Sequence, residues 1–466
     1  MNLAYTVSIA FRNLFRNARR SSITVLSVAT GGIAVLMFGG FVANIFHSLE
    51  TGLVMSGGHL QVFKQGYFHF GAGDPASYGI ANYDEVMQTI KSDPQLGPMV
   101  TLATPQLTLF GVAGNFKEGV SRTFLGVGFI PSDRRKMAQW DRYDMHIPIR
   151  LSGMTDEQTD VGIVGYGLAR VLHLCDALQV KDCPQPPKKA EQKAAVDTDI
   201  QALASAEAQT AAQQTQAGDH PKIDLLAATS QGAPNIVSLT VLKAQNQGFK
   251  EMDEVFVGMP LGLAQKLIYG RGTKQATSVV VQLNDTDQLY QAVDRLNQLF
   301  QEKGWGLEVR TFHDLTPFYD QATGMFRSIF AFLAVLMGAI VLFTVINTMS
   351  MVVMERTVEI GTLRALGLRR NAVRLLFIVE GALLGMVGAT LGVISAIILS
   401  ILVNASHLTW LPPNNVERIP LRVNVTANPD LILWTWILLV VIATLSAFFP
   451  ANRAARLTVV NALHQV

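Results

Sequence analysis

A short connector between two apolar segments carries the most chemically versatile side chains of this sequence. Residues 328–354 have no charge, and residues 375–404 have only that of Glu380. Each segment exceeds the roughly 20 apolar residues that cross a bilayer. Acidic, basic and aliphatic side chains alternate between them, which suits recognition of a protein partner rather than catalysis. The residues concerned are Glu355, Arg356, Glu359, Ile360, Gly361, Leu363, Arg364, Ala365 and Gly367.

The basic side chains of this connector indicate which side of a membrane it occupies, because Arg and Lys concentrate in short cytoplasmic loops. We therefore predict that residues 355–374 contain a short cytoplasmic helix that presents a charged and apolar face to a soluble partner. The alternative is an ordinary charged loop beside the membrane.

Four apolar segments predict a helical membrane domain: residues 21–49, 326–354, 375–404 and 431–450. Four arginines lie between positions 12 and 20, and Arg453 and Arg456 follow the fourth segment. Together with the basic connector, they predict that both termini are cytoplasmic, with a tail at 451–466. A cleaved signal peptide is the alternative for the first segment, but its apolar stretch is too long.

This topology places residues 50–325 outside the cytoplasm as one large α/β domain, together with a loop at 405–430. Strands are expected at 58–63, 278–283 and 307–310, with a helix between the last two. A helix at 318–326 is expected to continue into the second span. Residues 184–220 are rich in Ala, Gln and Lys and read as a low-complexity surface insertion, with a docking arm as the sharper alternative.

Residues 1–20 predict an amphipathic helix on the inner leaflet. Leu3, Val7, Ala10, Phe11 and Leu14 share one face, and arginines lie opposite. The alternative is that the arginines only fix the orientation of the first membrane span, as in the positive-inside rule, and that the segment has no further role.

The third apolar segment contains two kinds of residue that need an explanation. Gly381, Gly385, Gly388 and Gly392 form two G-x-x-x-G units, which favour close helix packing within the chain over a dimer contact. Glu380 is costly inside a membrane. We expect it to pair with Arg374 or a neighbouring helix, while a proton-relay role is the alternative.

Cys175 and Cys183 are the only cysteines, and both fall in the exported domain, where thiols tend to pair. We predict a disulfide between them, because only His173 is nearby as a further metal ligand. No Ser/His/Asp constellation indicates an enzyme, and nothing indicates nucleic-acid binding. No G-x-x-x-x-G-K-[ST] loop occurs, so any ATP and Mg would be bound by another chain, with no cofactor in this one.

Several motifs resemble the FtsX-like and MacB-type ABC permease superfamily. The connector at 354–367 resembles its coupling helix, and 449–456 with 460–463 is similar to its closing motif, although Val460 stands where proline is usual. Residues 165–174 and 248–253 resemble lipoprotein-release (LolC/LolE-like) permeases. The resemblance implies a bacterial inner-membrane protein with an α/β periplasmic domain, working as a homo- or heterodimer of permeases with two ATPase subunits.

The same resemblance implies extraction or release of lipoproteins or other amphiphiles, with a possible periplasmic carrier protein as a partner. Signal relay to a cell-wall hydrolase and export of drugs or peptides remain alternatives. For an extractor, substrate would enter sideways from the lipid near the outer ends of the first and second spans. The candidate lining residues are Phe41, Ile45, Phe46, Phe326, Ile329 and Phe330.

Overall fold

The computed structural model describes residues 3–16, 18–71, 73–147, 152–180, 183, 220–248, 250–411 and 418–456. The insertion predicted at 184–220 lies outside the described residues except for His220, as does the closing motif at 460–463. The chain divides into two compact units. Unit 1 comprises Met1–Ser48, Phe318–Trp410 and Ile419–Val466, and unit 2 comprises Leu49–Pro317 with Leu411–Arg418.

Unit 1 is built mainly from helices. They are α1 (Leu3–Arg16), α2 (Ala18–Gly57, which continues into unit 2), α11 (Pro317–Glu355), α12 (Thr357–Ala365), α13 (Arg370–Ala405) and α14 (Pro429–Arg456). Helices α2, α11, α13 and α14 are long and apolar enough to cross a membrane. Two short antiparallel strands, β10 (Thr409–Trp410) and β11 (Ile419–Pro420), accompany them.

Unit 2 contains nine strands among its described residues. They are β1 (Leu60–Lys64), β2 (Val100–Asn115), β3 (Val120–Phe129), β4 (Val161–Gly165), β5 (Lys222–Ala228), β6 (Pro234–Gln245), β7 (Phe256–Pro260), β8 (Ser278–Leu283) and β9 (Leu307–Thr311). The helices between them are α3 (Tyr83–Ser92), α4 (Pro131–Met137), α5 (Tyr166–Val171), α6 (Cys175–Leu178), α7 (Lys250–Asp253), α8 (Leu261–Tyr269), α9 (Leu289–Lys303) and α10 (Phe312–Leu315). Single turns of π- or 3₁₀-helix occur at Tyr67–Gly71, Pro75–Tyr78 and Thr286–Gln288.

Strand β2 is 16 residues long and takes part in two sheets. Its residues from Val100 to Gln106 pair with β8, which pairs with β1, which pairs with β9. From Leu107 onward it pairs with β3, and at Val112–Gly114 also with β5. Because β3, β7, β4, β6 and β5 also pair in that order, these strands and β2 form a closed circuit.

Alternation along the strands places one side of this circuit in a hydrophobic core. Leu107, Leu109, Ile223, Leu225 and Leu239 are almost fully buried there. Helix α8 contributes Leu261, Leu263, Ala264, Leu267 and Ile268 to the same cluster. In the other sheet every residue of β8 is buried, and three consecutive valines form its centre.

The predicted layout, with four apolar helices and a β-rich region between the first and second, agrees with the structure. The description of the membrane part as purely helical is too simple, because unit 1 includes the β10–β11 pair. The strand predicted at 278–283 is β8, and those predicted at 58–63 and 307–310 are β1 and β9, each shifted or extended by a residue or two. The main segment of unit 2 is Leu49–Pro317, compared with the predicted domain at 50–325. The difference arises because the helix at 318–326 belongs to unit 1.

Candidate functional site: a charged helix between two apolar helices

Helix α12 occupies the predicted connector between α11 and α13, and both of its ends are sharply defined. Helix α11 ends at Glu355, and Arg356 precedes α12. At the other end Gly367 has φ +98°, a left-handed conformation that favours glycine. The Leu368 amide donates to the Leu363 carbonyl at 3.1 Å, which closes the helix with a Schellman-type bond. The chain therefore leaves α12 along a fixed path.

One face of α12 is buried within unit 1. Thr357, Ile360 and Gly361 are buried, and Ile360 is only 4% exposed. Ile360 belongs to a hydrophobic cluster that includes Val352 of α11 and Phe377 of α13. This face attaches α12 to the apolar helices, so Ile360 and Gly361, which the sequence grouped with the partner-facing residues, have a packing role instead of an exposed one.

The opposite face of α12 is exposed and largely apolar. Val358 is 47% exposed, Leu363 44% and Leu366 80%. Thr362 and Ala365 are exposed on the same side. The sequence prediction included Leu363 and Ala365, and it counted Leu366 among the apolar residues of the connector, but it omitted Val358 and Thr362. Val358, Thr362 and Leu366 are spaced four residues apart, and this helical periodicity is the signal that would have identified them as one face.

Two acidic residues of the connector, Glu355 and Glu359, form ion pairs with arginines of α1 and α2. Arg16 pairs with Glu359, and Arg20, at the start of α2, pairs with Glu355. The side chains are between about a third and three fifths exposed, so each pair contributes little free energy by itself. Their consequence is geometric, because they orient the acidic side chains of the connector toward the N-terminal segment.

Arg356 is buried, in contrast to its predicted position on a partner-facing surface. Its Nη1 lies 3.8 Å from Glu380 Oε2, and the two side chains are 7% and 4% exposed. Its Nη2 donates to the Asn13 carbonyl of α1 at 3.5 Å. Among the described residues, neither Arg356 Nε nor Glu380 Oε2 has a hydrogen-bond partner. Arg356 therefore connects α1, α12 and α13 from within unit 1.

The expected pairing of Glu380 with a neighbouring element is correct, but Arg374 is not the partner. Arg374 Nη2 instead donates to Asn452 Oδ1 of α14 at 2.8 Å. Arg374 lies six positions before Glu380 on α13, which places the two side chains on different faces of the helix. The ion pair of Glu380 spans two helices, and this cannot be inferred from local spacing.

The four glycines of α13 face two different helices of the same chain. A side chain at Gly381 would overlap Ala447 of α14, and one at Gly385 would lie 2.7 Å from Ala443 Cβ. A side chain at Gly388 would lie 2.7 Å from Val28 Cβ of α2, and Gly392 is similarly close to Ala29. The favoured interpretation, packing within one chain, agrees with these contacts.

Several of the residues predicted to line a substrate path contact other aromatic rings of unit 1. The rings of Phe46 and Phe326 lie 6.4 Å apart, and those of Phe38 and Phe330 6.3 Å apart. Phe41 contacts Trp410 with ring centroids 6.0 Å apart. Ile45 is half-buried, whereas Ile329 is 44% exposed. The sequence prediction did not include Phe38 and Trp410, because no local sequence pattern indicates that they contact these rings.

A shallow apolar groove of about 270 Å³ lies elsewhere in unit 1, between α13 and α14. It is lined by Thr390, Val393, Ile394, Pro429, Ile432, Leu433 and Trp436. The indole of Trp436 donates to Thr390 Oγ1 at 3.1 Å, so the two polar groups there satisfy each other.

In unit 2 the structure joins Cys175 and Cys183 in a disulfide, with their Cα atoms 6.2 Å apart. Cys175 is the first residue of α6. No cluster of three or more His, Cys, Asp or Glu side chains suited to a metal ion occurs in the part of the chain that the structure describes.

Comparison with known proteins defines the class to which these features belong. The sequence model of the FtsX-like permease C-terminal family matches residues 331–459, which include α12, α13 and α14. The lipoprotein-releasing system transmembrane protein LolC of Xylella fastidiosa (strain 9a5c) is 26% identical over 241 residues, covering 49% of this chain and 56% of that protein.

Other relatives match shorter stretches of the chain. The Bacillus subtilis ABC transporter permease YtrF is 31% identical over 135 residues, 28% of this chain and 30% of YtrF. The macrolide export ATP-binding/permease protein MacB 1 of Aeromonas hydrophila is 29% identical over 121 residues, 26% of this chain and 17% of that protein. The chain is thus an ABC-transporter-type permease by class. Its residues 331–459 match the FtsX-like permease C-terminal family, and the chain is similar to LolC and MacB. It spans about half the length of the LolC relatives it matches.

Proposed function

We propose that this chain is the permease subunit of an ABC transporter that couples ATP hydrolysis on separate ATPase subunits to motion of unit 2. In this proposal α12 lies at the cytoplasmic face of the bacterial inner membrane, both termini are cytoplasmic, and unit 2 is periplasmic. Two permeases, identical or different, work with two ATPase subunits that hold the ATP and Mg.

The observation that carries the proposal is the two-sided character of α12. One side is fixed in the core of unit 1 by Ile360 and by the buried Arg356–Glu380 pair. The other side exposes Leu363 and Leu366 beside charged residues. A soluble monomeric surface has little reason to expose contiguous apolar side chains, whereas a docking surface does. Force applied to Leu366 would reach α11 and α13 through this rigid attachment.

The proposed substrate is a lipid-modified protein or another amphiphile that is extracted from the membrane or released from it. The support is the similarity to LolC, whose name describes a lipoprotein-releasing system. ATP binding would bring two permeases together, and the motion of their periplasmic units would move the substrate outward. A periplasmic carrier protein would receive it.

A signal relay without cargo is the second candidate. The aromatic contacts Phe46–Phe326 and Phe38–Phe330 favour it, because they occupy the place where an amphiphile would have to enter. A photocrosslinker at Ile329, which is exposed, separates the candidates. Adducts with a lipoprotein that disappear during ATP turnover support extraction. Adducts with bulk phospholipid alone, unchanged by ATP, support the relay. Export of drugs or peptides is the third possibility that the similarity to MacB leaves open.

The main experiment tests docking at α12. The complex is purified from native membranes with its ATPase and compared with the double variant Leu363→Glu/Leu366→Glu. We expect the variant to insert normally but to lose bound ATPase at least tenfold, because two buried charges replace apolar contacts. Leu408→Glu is the matched control, since Leu408 is 53% exposed and follows the other end of α13. Full ATPase binding and ATP response in the double variant would contradict the proposal.

A further inference from the structure

Helix α1 has an exposed apolar stripe that nothing in unit 1 covers among the described residues. Val7 is 38% exposed, Phe11 51% and Phe15 69%. Positions four residues apart lie on the same side of a helix. The rings of Phe11 and Phe15 contact each other edge to face at 5.1 Å, so they form one continuous surface. This stripe differs from the predicted face, because Ala10 is buried and Leu14 partly so.

The orientation of this stripe is fixed by the opposite side of α1. Thr6 and Ala10 are fully buried, and α1 packs against α13. Leu14 contributes to the hydrophobic cluster of unit 1. The helix therefore cannot roll to hide Phe11 and Phe15 without losing this packing.

Position and charge together identify what covers the stripe. Phe15 lies three positions before the start of α2, which is long and apolar enough to cross a membrane. The stripe therefore lies where a membrane surface begins. Arg12 and Arg19 are exposed on the same segment and complement acidic headgroups. Large aromatic side chains on one side and arginines on another are typical of a helix lying in a lipid interface.

The remaining side of α1 and the start of α2 contact the connector that the proposed function assigns to ATPase docking. Arg16 pairs with Glu359, Arg20 pairs with Glu355, and the Asn13 carbonyl accepts from Arg356. We propose that α1 is a lipid-bound brace: an acidic membrane surface holds Phe11 and Phe15, and α1 in turn holds α12 in position. The regulatory half of this inference rests on the proposed function, whereas the lipid-binding half does not.

The lipid-binding half is tested on the purified chain alone. A spin label is attached at Phe15→Cys in nanodiscs of phosphatidylcholine with or without phosphatidylglycerol. Cys175 and Cys183 are joined in a disulfide and do not compete for the label without reductant. We expect the label to be at least threefold more accessible to oxygen than to a water-soluble nickel chelate, and more so with phosphatidylglycerol. The reverse accessibility would overturn the proposal and point to a protein partner or a second copy.

The regulatory half is tested with Phe11→Ser/Phe15→Ser. A label at Thr362→Cys on α12 should become at least twofold more mobile, and ATPase stimulation should fall at least threefold while ATPase binding persists. Phe70→Ser/Phe116→Ser is the matched control, because it removes two exposed phenylalanines from unit 2. Phe11→Leu/Phe15→Leu should restore both readouts. Unchanged mobility of α12 in the serine variant would overturn the brace, whether or not any ATPase responds to this chain.

Discussion

Each unit contains an arginine paired with a buried carboxylate. The two pairs differ greatly in how many hydrogen bonds their polar atoms make. In unit 2, Arg295 donates to Asp93 Oδ2 through Nε at 3.2 Å and Nη2 at 2.7 Å. Asp93 Oδ1 also accepts from the Gln95 and Leu96 amides, both at 2.9 Å. In unit 1, Arg356 and Glu380 approach only to 3.8 Å and leave polar atoms without partners.

The Arg295–Asp93 pair acts as a structural clamp, whereas the Arg356–Glu380 pair leaves polar atoms without hydrogen-bond partners among the described residues. The Arg295 guanidinium hydrogen-bonds to Asp93 and holds the pKa of that carboxyl below its usual range. Such a pair stabilises one conformation. A buried pair with long, incomplete contacts gains less from its present geometry. We infer that the Arg356 corner, although buried, is held by fewer hydrogen bonds than the Asp93 turn.

The largest effect that tests this comparison is expected from Arg356→Leu, which leaves the Glu380 carboxylate buried without a cation. We expect a loss of about 3–5 kcal/mol in the free energy of unfolding. Arg356→Leu/Glu380→Leu should recover most of it, because no uncompensated charge remains. Helical circular dichroism during thermal unfolding in nanodiscs measures both. Wild-type stability in the single variant would show that the pair is not an interacting pair.

A second prediction uses His59, a buried group that remains neutral instead of forming an ion pair. Its Nδ1 accepts from the Leu283 amide at 3.0 Å, so Nε2 carries the proton and faces Thr286 Oγ1 at 3.1 Å. Burial lowers the pKa of His59 to about 4, although Asp285 opposes the shift. The unfolded chain binds this proton near pH 6.5, so stability is full above that pH and falls as the pH drops toward 4.

The shift of the pKa of His59 corresponds to a loss of about 3 kcal/mol for unit 2 between pH 6.5 and 4. Denaturant unfolding of the whole chain, followed by the fluorescence of Trp140, which lies 5.0 Å from the His59 ring, measures this slope. His59→Gln should flatten the slope whatever its effect on stability at pH 7. An unchanged slope in that variant would assign the acid sensitivity to other groups.

Asp93→Asn should have a smaller effect, about 1–2 kcal/mol at pH 7, because Arg295 remains about a fifth exposed and can recover water. The folded pKa of Asp93 is lowered, so its contribution is present above pH 4 and disappears as the pH falls below. Asp84→Asn, at an exposed carboxylate of α3, is the control. Equal losses in the two variants would contradict the clamp.

The smallest effect is expected at Arg122–Glu254, where the atoms are 3.4 Å apart and both side chains are well exposed. Arg122→Ala should change the free energy of unfolding by less than about 1 kcal/mol. The same unfolding experiment measures it. A loss as large as that of Asp93→Asn would mean that burial does not explain the ranking of these pairs.

The parts of the fold that the sequence predicts are those with a strong local pattern. The three consecutive valines of β8 predict a buried strand, and the charge-free stretch 328–354 of α11 predicts a membrane-crossing helix. The closed circuit through β2 could not be predicted, because it depends on which distant strands pair. The strands β4–β7 were mostly absent from the prediction for the same reason.

In the candidate site, too, some features follow from local sequence and others only from the packed structure. The position of α12 follows from Gly367 and from the flanking apolar runs, but its two faces do not. Ile360 and Leu363 are both aliphatic and differ by three positions, yet one is buried and the other exposed. The pairing of Arg356 with Glu380 joins the turn before α12 to α13, so only the packed structure identifies it.

The position of β1 at the start of unit 2 has a consequence for how the chain is made. Its hydrogen-bonded neighbours in the sheet are β8 and β9, which begin at Ser278 and Leu307. At roughly 5–20 residues per second, ribosomes need about 10–40 s to synthesise the chain between β1 and β8. During that interval both edges of β1 are unpaired templates for wrong strands. The high contact order predicts slow completion of this sheet, so we expect newly made unit 2 to depend on chaperones until β8 emerges.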